Sequence, residues 1–411
     1  MIRRSADPTG MEPGGASDLK TRRADIELRV LLGDREVGVI RGRCDGRNEL
    51  VFSPEYLASG ERPVLGQYFE DHLDEVHRSQ THLPPFFSNL LPEGRLRELV
   101  AERAGLHRDR EAELIAVLGE DLPGAVVVRA GAIEPSETEP QALRFSLAGV
   151  QLKFSVLYHA KGRGPTVPID GRGGNWIAKL PSETFANVPE HEYEVIQWAG
   201  RAGISVPEVA LVTAAEIERL PVQMAPDRRV FLSRRFDRPE AGGRIHQEDF
   251  AQVKNVRAAR RYGALSHTSI ARIVRAVAGE DDFDEVVRRT AFNVLIGNGD
   301  AHLKNWSLTY PDGVHARLSP AYDLVATVTY LKDQKLALKL SDENRFEEIR
   351  LRHFERLAEK VGVSGDRVAR IVRDTLQRAM AAWPKDDTLD PARMAALRAH
   401  VERLPLLAEA G

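Results

Sequence analysis

Ile296-Gly297-Asn298-Gly299-Asp300-Ala301-His302-Leu303-Lys304-Asn305 is the stretch on which the reading of this chain turns. Ahead of it, Ala291 to Ile296 form the end of an apolar helical segment. Gly297-Asn298-Gly299 is a natural helix stop, because Gly and Asn tolerate the left-handed backbone that closes a helix. Asp, His, Lys and Asn then fall within six residues. An aspartate so placed can accept a hydroxyl proton, and an asparagine after four intervening residues can lend a hard oxygen to Mg²⁺; phosphoryl transfer uses that pair at that spacing. Alone, Asp300 and Asn305 read at least as well as turn-capping residues of a polar loop.

The neighbours narrow the choice. Pro320-Ala-Tyr322-Asp323-Leu lies beyond a hairpin predicted over Trp306–Tyr310 and Val314–Leu318. A second carboxylate after a hairpin suits a Mg²⁺ ligand bridging nucleotide phosphates. Upstream, Trp176-Ile-Ala-Lys179-Leu-Pro sets a lysine in an apolar strand, where an ammonium without an anion is costly. The helix expected from about Glu190 to Ala202 offers Glu192 and Glu194 as partners. Glu192 shares a face with Ile196, Ala199 and Gly203, which selects it for the inward side. Phe145 to Lys153 precedes the strand and carries a single glycine, a poor match to a glycine-rich phosphate loop.

Composition sets the frame. The 411 residues suffice for two or three domains, and 42% apolar with 29% charged residues is the balance of an ordinary globular protein. A formal charge of −3 gives no global field toward nucleic acid or anionic membrane. The lone Cys44 excludes an internal disulfide and a cysteine-based zinc site, in keeping with a reducing cytoplasm. No apolar run reaches the roughly 18–20 residues that span a bilayer. Residues 1–24 read as a disordered tail, with Met11 a second candidate start, and 131–141 as a linker.

Between these, Ile26 to Val39 reads as two strands about Gly33-Asp34, Phe87 to Arg103 and Arg110 to Gly119 as helices, and Ala125 to Arg129 as a strand. Strands are expected over 145–158, 176–180, 206–212 and 230–233. Helical spacing recurs at 266–278, 284–296, 351–361, 364–383 and 391–403. The fold expected is α+β and protein-kinase-like, with N-terminal units at 25–130 and 142–235 and an all-helical C-terminal lobe at 236–411.

In this order the motifs resemble the HipA family of serine/threonine kinases, the toxins of bacterial toxin–antitoxin pairs. The resemblance is carried by Ser146 to Lys153, Trp176 to Pro181, His191-Glu192-Tyr193, Arg235 to Arg238, Gln247 to Asp249, the 300–305 loop and Pro320 to Asp323. It extends to Phe86–Pro92 and Leu118–Gly124 of the front domain, so it spans about residues 26 to 405.

It implies ATP and Mg²⁺ as ligands, Asp300 as catalytic base, Asn305 and Asp323 on the metal, and Lys179 on the phosphates with Glu192 as its partner. It further implies that Ala148, Gly149, Val150, Gln151 and Lys153 cover the phosphates, that His302 and Lys304 flank them, that Arg234 and Phe236 meet the adenine at the hinge, and that Tyr322 is a further ATP-binding residue. Ser146 falls where such kinases autophosphorylate. The chain departs from the pattern at Leu152, where a polar residue is common, and at Arg234, where an acidic one occurs. The family's partners would be a HipB-like helix-turn-helix antitoxin, operator DNA only through that complex, and a protein target such as glutamyl-tRNA synthetase. The competing expectations are a catalytically weak co-repressor and a small-molecule kinase; the full set Lys179, Asp300, Asn305 and Asp323 argues against the first, and the front domain against the second.

Overall fold

The computed structural model describes residues 25–131, 152–158, 164–168, 173–220, 223–385 and 389–410. The expected tail, nearly all of the linker, and Ser146, Ala148, Gly149, Val150 and Gln151 lie outside the described residues.

Alternating apolar residues build the first hairpin as expected. β1 (Ile26–Leu32) buries Leu28, Val30 and Leu32 and turns at Gly33 into β2 (Arg35–Gly42). With β3 (Arg47–Phe52), β4 (His77–Gln80) and β5 (Val126–Ala130) they form an antiparallel sheet in the order β4-β3-β2-β1-β5. The helix expected from Phe87 to Arg103 is instead two pieces, a single turn Pro85–Ser88 and a helix Gly94–Arg103. Pro92 cannot donate to the helical ladder and disfavours helix in the residue before it. Asn89 and Glu93 therefore stand on an irregular bend rather than on a helix face.

β6 (Lys153–Val156), β7 (Trp176–Lys179), β8 (Val209–Thr213) and β9 (Arg229–Arg234) form a second antiparallel sheet, ordered β6-β7-β9-β8. This sheet and the first share one apolar core: Phe154, Trp176, Ala178 and Leu232 pack in the same cluster as Leu28, Val30, Phe86 and Leu118. The helix Val188–Arg201 turns the other way. Its Val195, Ile196, Trp198 and Ala199 join the C-terminal core with Phe283, Phe292 and Leu295, and the Trp198 indole N–H donates to the Ala379 carbonyl at 2.7 Å.

The C-terminal lobe is mostly helical, with helices His267–Ala278, Glu280–Ile296, Leu351–Val361, Gly365–Ala381 and Pro391–Val401. It is not all-helical. The hairpin expected after Asp300 is present as β11 (Ser307–Tyr310) and β12 (Arg317–Leu318), and it takes a third strand, β10 (His246–Asp249). β10 carries His-Gln-Glu-Asp, a polar run without apolar alternation, so its strand character comes from the ladder to β11 and not from local pattern.

Buried ion pairs tie the front domain to the rest. Asp121 accepts from Arg238 at 2.8 Å and lies 3.5 Å from Arg235, while Asp237 accepts from both arginines and from the Gly124 amide. Burial alone would push the Asp237 carboxyl up, but the two guanidiniums hold it well below the usual carboxylate range. No helix among the described residues is long and apolar enough to cross a membrane.

Candidate active site

A cleft of about 1200 Å³ opens between the second sheet, the C-terminal lobe and the front-domain bend at Asn89 and Glu93. Both β6 and β7 place a lysine on its floor. Lys153 and Lys179 are directly paired across the antiparallel ladder, so their side chains leave the sheet on one face. Like charges opposite one another repel, and burial adds to the cost. Lys179 offsets it with anions: its ammonium sits 2.5 Å from Glu192 and in contact with Asp323. Burial would discharge Lys179, yet these two carboxylates hold its pKa above the ordinary value. Burial pushes Glu192 up, with Lys179 pulling the other way, while Asp323 stays ionised at about 2 because Lys179 and Lys153 outweigh its desolvation. The Lys153 ammonium has no hydrogen-bond or ion-pair partner among the described residues, and burial lowers its pKa. The floor thus sets two lysines against two carboxylates.

The opposite wall is the loop that follows the long helix Glu280–Ile296. Gly297 ends that helix at φ +66°, and a β-carbon there would lie 2.5 Å from the Val328 side chain, so a larger residue would displace the loop. Asn298 Oδ1 accepts from the Asp300 amide at 3.0 Å, and the Asn305 side-chain N–H donates to the Asp300 carbonyl at 2.8 Å. Asp300 is exposed at the tip, its Oδ1 accepting a 2.6 Å hydrogen bond from the Tyr262 hydroxyl. His302 lies beneath, buried, with Nδ1 unpartnered among the described residues; burial lowers its pKa, with Asp300 opposing. Asp323 faces the loop from its own turn at φ +53°.

The structure gathers Asp300, Asn305, Asp323, Lys179, Glu192, Lys153 and His302 on one cleft. Phe236 and Tyr322 also line it, their rings 5.8 Å apart, with the Tyr322 hydroxyl donating to the Lys304 carbonyl at 2.9 Å. Arg234 lines the cleft too, but its guanidinium reaches Glu240 at 2.7 Å and Glu208 at 3.3 Å, and its backbone N–H donates to the Glu208 carbonyl at 2.8 Å. Lys304 differs from its expected place beside phosphates. Its ammonium is turned to the front domain, 2.8 Å from Glu93 and 3.0 Å from the Asn89 carbonyl. Tyr262, Glu93 and Asn89 are among the lining residues that the sequence did not single out as site residues.

For a divalent ion the donors fit: Asn305 has a side-chain N–H engaged with the Asp300 carbonyl, which leaves its amide oxygen as a donor, and Asp323 adds a hard, ionised carboxylate. Two protein oxygens suit Mg²⁺, which takes its remaining ligands from phosphates and water.

The chain is similar to known proteins along most of its length. The model of the HipA N-terminal domain matches residues 28–129, and that of the HipA-like C-terminal domain matches residues 145–383. The chain belongs to the HipA kinase family. Y4dM of Sinorhizobium fredii, provisionally named as a kinase, is 39% identical over 372 residues, covering 87% of this chain and 91% of Y4dM. The serine/threonine-protein kinase toxin HipA of Shewanella oneidensis is 27% identical over 298 residues, covering 63% of this chain and 66% of the toxin. A solved Shewanella oneidensis complex of HipA, HipB and operator DNA contains a chain of similar fold, with TM-score 0.66 at 18% identity over 93% of this chain and 96% of that one.

Proposed function

We propose that this HipA-family kinase transfers the γ-phosphoryl group of Mg-ATP to a serine or threonine hydroxyl of a protein. The observation that carries the reading is the meeting of the Lys179–Glu192–Asp323 cluster with the Asp300–Asn305 loop across one cleft. Asp300 orients the acceptor hydroxyl and takes its proton as the oxygen attacks phosphorus and ADP departs. Lys179 and Lys153 hold the phosphates, His302 Nδ1 supplies a further buried contact, and Phe236 with Tyr322 flank the adenine. Asn305 and Asp323 would bind the Mg²⁺, which neutralises phosphate charge when bound. Ala148, Gly149, Val150 and Gln151 would close over the nucleotide, and Ser146 is the proposed autophosphorylation site.

By likeness to the Shewanella oneidensis assembly, the partner proposed is a HipB-like antitoxin, with DNA engaged through that complex. The target proposed from the family is an aminoacyl-tRNA synthetase, glutamyl-tRNA synthetase first, reached in the cytoplasm. Labelled ATP with Mg²⁺ tests the reading on the chain alone. Wild type should label itself, while Asp300→Asn and Ser146→Ala should not. Label persisting in Ser146→Ala alone would move the acceptor elsewhere, and an unlabelled wild type that also fails to bind ATP in calorimetry would remove the kinase assignment.

A further inference from the structure

Asp300 stands at an exposed loop tip, where a carboxylate rotates freely unless something holds it. A base must be aimed at its proton, so the group that fixes its rotation contributes to rate. That group is Tyr262. Its O–H donates to Oδ1 of Asp300 at 2.6 Å, which leaves Oδ2 for an acceptor hydroxyl.

Tyr262 is itself about half exposed, so core packing does not fix it. Two neighbours do. The His302 ring meets its ring edge-on with centroids 5.1 Å apart, and the Arg261 guanidinium lies 5.2 Å from the ring centroid. Arg261 in turn is held from outside the kinase lobes: Oε2 of Glu93 accepts from its guanidinium at 2.8 Å. The other oxygen of Glu93 sits 2.8 Å from the Lys304 ammonium, next to Asn305. Burial would push the Glu93 carboxyl up, but Lys304 and Arg261 keep it below the ordinary glutamate value. The Leu303 amide also donates to the Arg261 carbonyl at 3.2 Å, so the Tyr262 segment and the catalytic loop are joined by backbone as well.

We propose that Tyr262 is a positioning residue for the Asp300 base, and that the N-terminal domain holds it there through Glu93. The inference rests on the kinase reading of the cleft. It gives the front domain a part in phosphoryl transfer: it supplies the carboxylate from which both segments of the acceptor side are hung.

The test compares wild type, Tyr262→Phe, Glu93→Gln and the double variant by initial rates of labelled phosphate transfer to the chain itself and to dephosphorylated casein. Melting temperature and ATP affinity by calorimetry are measured alongside. Tyr262→Phe keeps the ring contacts and removes only the hydroxyl. It should lower kcat about tenfold, a fraction of the 10²–10⁴ that a general base supplies, with the KM for ATP and the melting temperature unchanged. Glu93→Gln should lower kcat in the same sense, and the double variant should lose no more than the weaker of the two singles.

A Tyr262→Phe rate within twofold of wild type would overturn the positioning role. A rate above wild type would overturn it in another way, showing that the phenol blocks the acceptor. Losses that simply add in the double variant would remove the link to Glu93. Wild type that binds ATP and transfers nothing would strike down the kinase reading itself, and this inference with it, a result separable from the others because no variant would then differ.

Discussion

Asp300→Asn keeps the size of the side chain and removes its capacity to take a proton. It should lower transfer by about 100-fold or more while ATP binding persists, as read by labelled transfer and calorimetry. Lys179 invites a different measurement, because its two carboxylate partners include Glu192, which is nearly fully buried. Lys179→Met strands that carboxylate and should destabilise the nucleotide-free protein by about 3–5 kcal/mol in chemical denaturation. Adding Glu192→Gln should recover much of the loss; a double variant no more stable than the single would contradict the pairing. Helical spacing pointed to Glu192 rather than Glu194, and Glu192 is the residue 2.5 Å from Lys179. Tyr262 was beyond such reasoning. It meets Asp300 across 38 positions through a short irregular segment, and no periodicity or motif marks it.

Among the elements, β10 carries the most testable consequence. Its Glu248 is buried against the front domain, accepting from the Gln67 amide at 2.8 Å and from the Tyr310 hydroxyl at 2.5 Å. Burial pushes its pKa from the ordinary 4.5 up to about 8. The folded state therefore keeps a proton that the unfolded chain releases, so the contribution of Glu248 to stability is greatest below about pH 4.5 and falls as pH rises from there to about 8. This group's share of the slope is at most about 1.4 kcal/mol per pH unit. Glu248→Gln, which mimics the protonated acid, should flatten that slope and stabilise the protein at pH 8; an unchanged slope would show that Glu248 ionises freely. None of this was legible in the strand's sequence, whose four polar residues lack the alternation that identified β1. The helix break at Pro92 was legible in principle, since proline inside a helical pattern halts it, yet the leucine spacing on either side suggested continuity.

At the scale of the whole molecule, the front sheet and the β6–β9 sheet are one body, because they share a core and the Asp121–Arg235–Asp237–Arg238 cluster. Asp121→Asn should cost about 3–5 kcal/mol, visible as a lowered denaturant midpoint for the whole protein rather than a separate front-domain transition. A two-step melt would contradict the shared core. The α+β, kinase-like architecture was legible from the order of motifs. What composition and periodicity could not convey was that the front domain, besides sharing a core with the β6–β9 sheet, also reaches the catalytic-loop side of the cleft, since those contacts run through single residues such as Asn89 and Glu93, some 170 to 215 positions from their partners. That double attachment bears on turnover. An enzyme whose two lobes swing about one hinge releases ADP by gaping. Here the part-buried Glu93 bridge and the buried Asp121 cluster clasp the cleft from a third side, so gaping requires breaking ion pairs. The bridge should therefore slow the opening through which nucleotide leaves the cleft, and a fluorescent ADP analogue should dissociate faster from Glu93→Gln than from wild type.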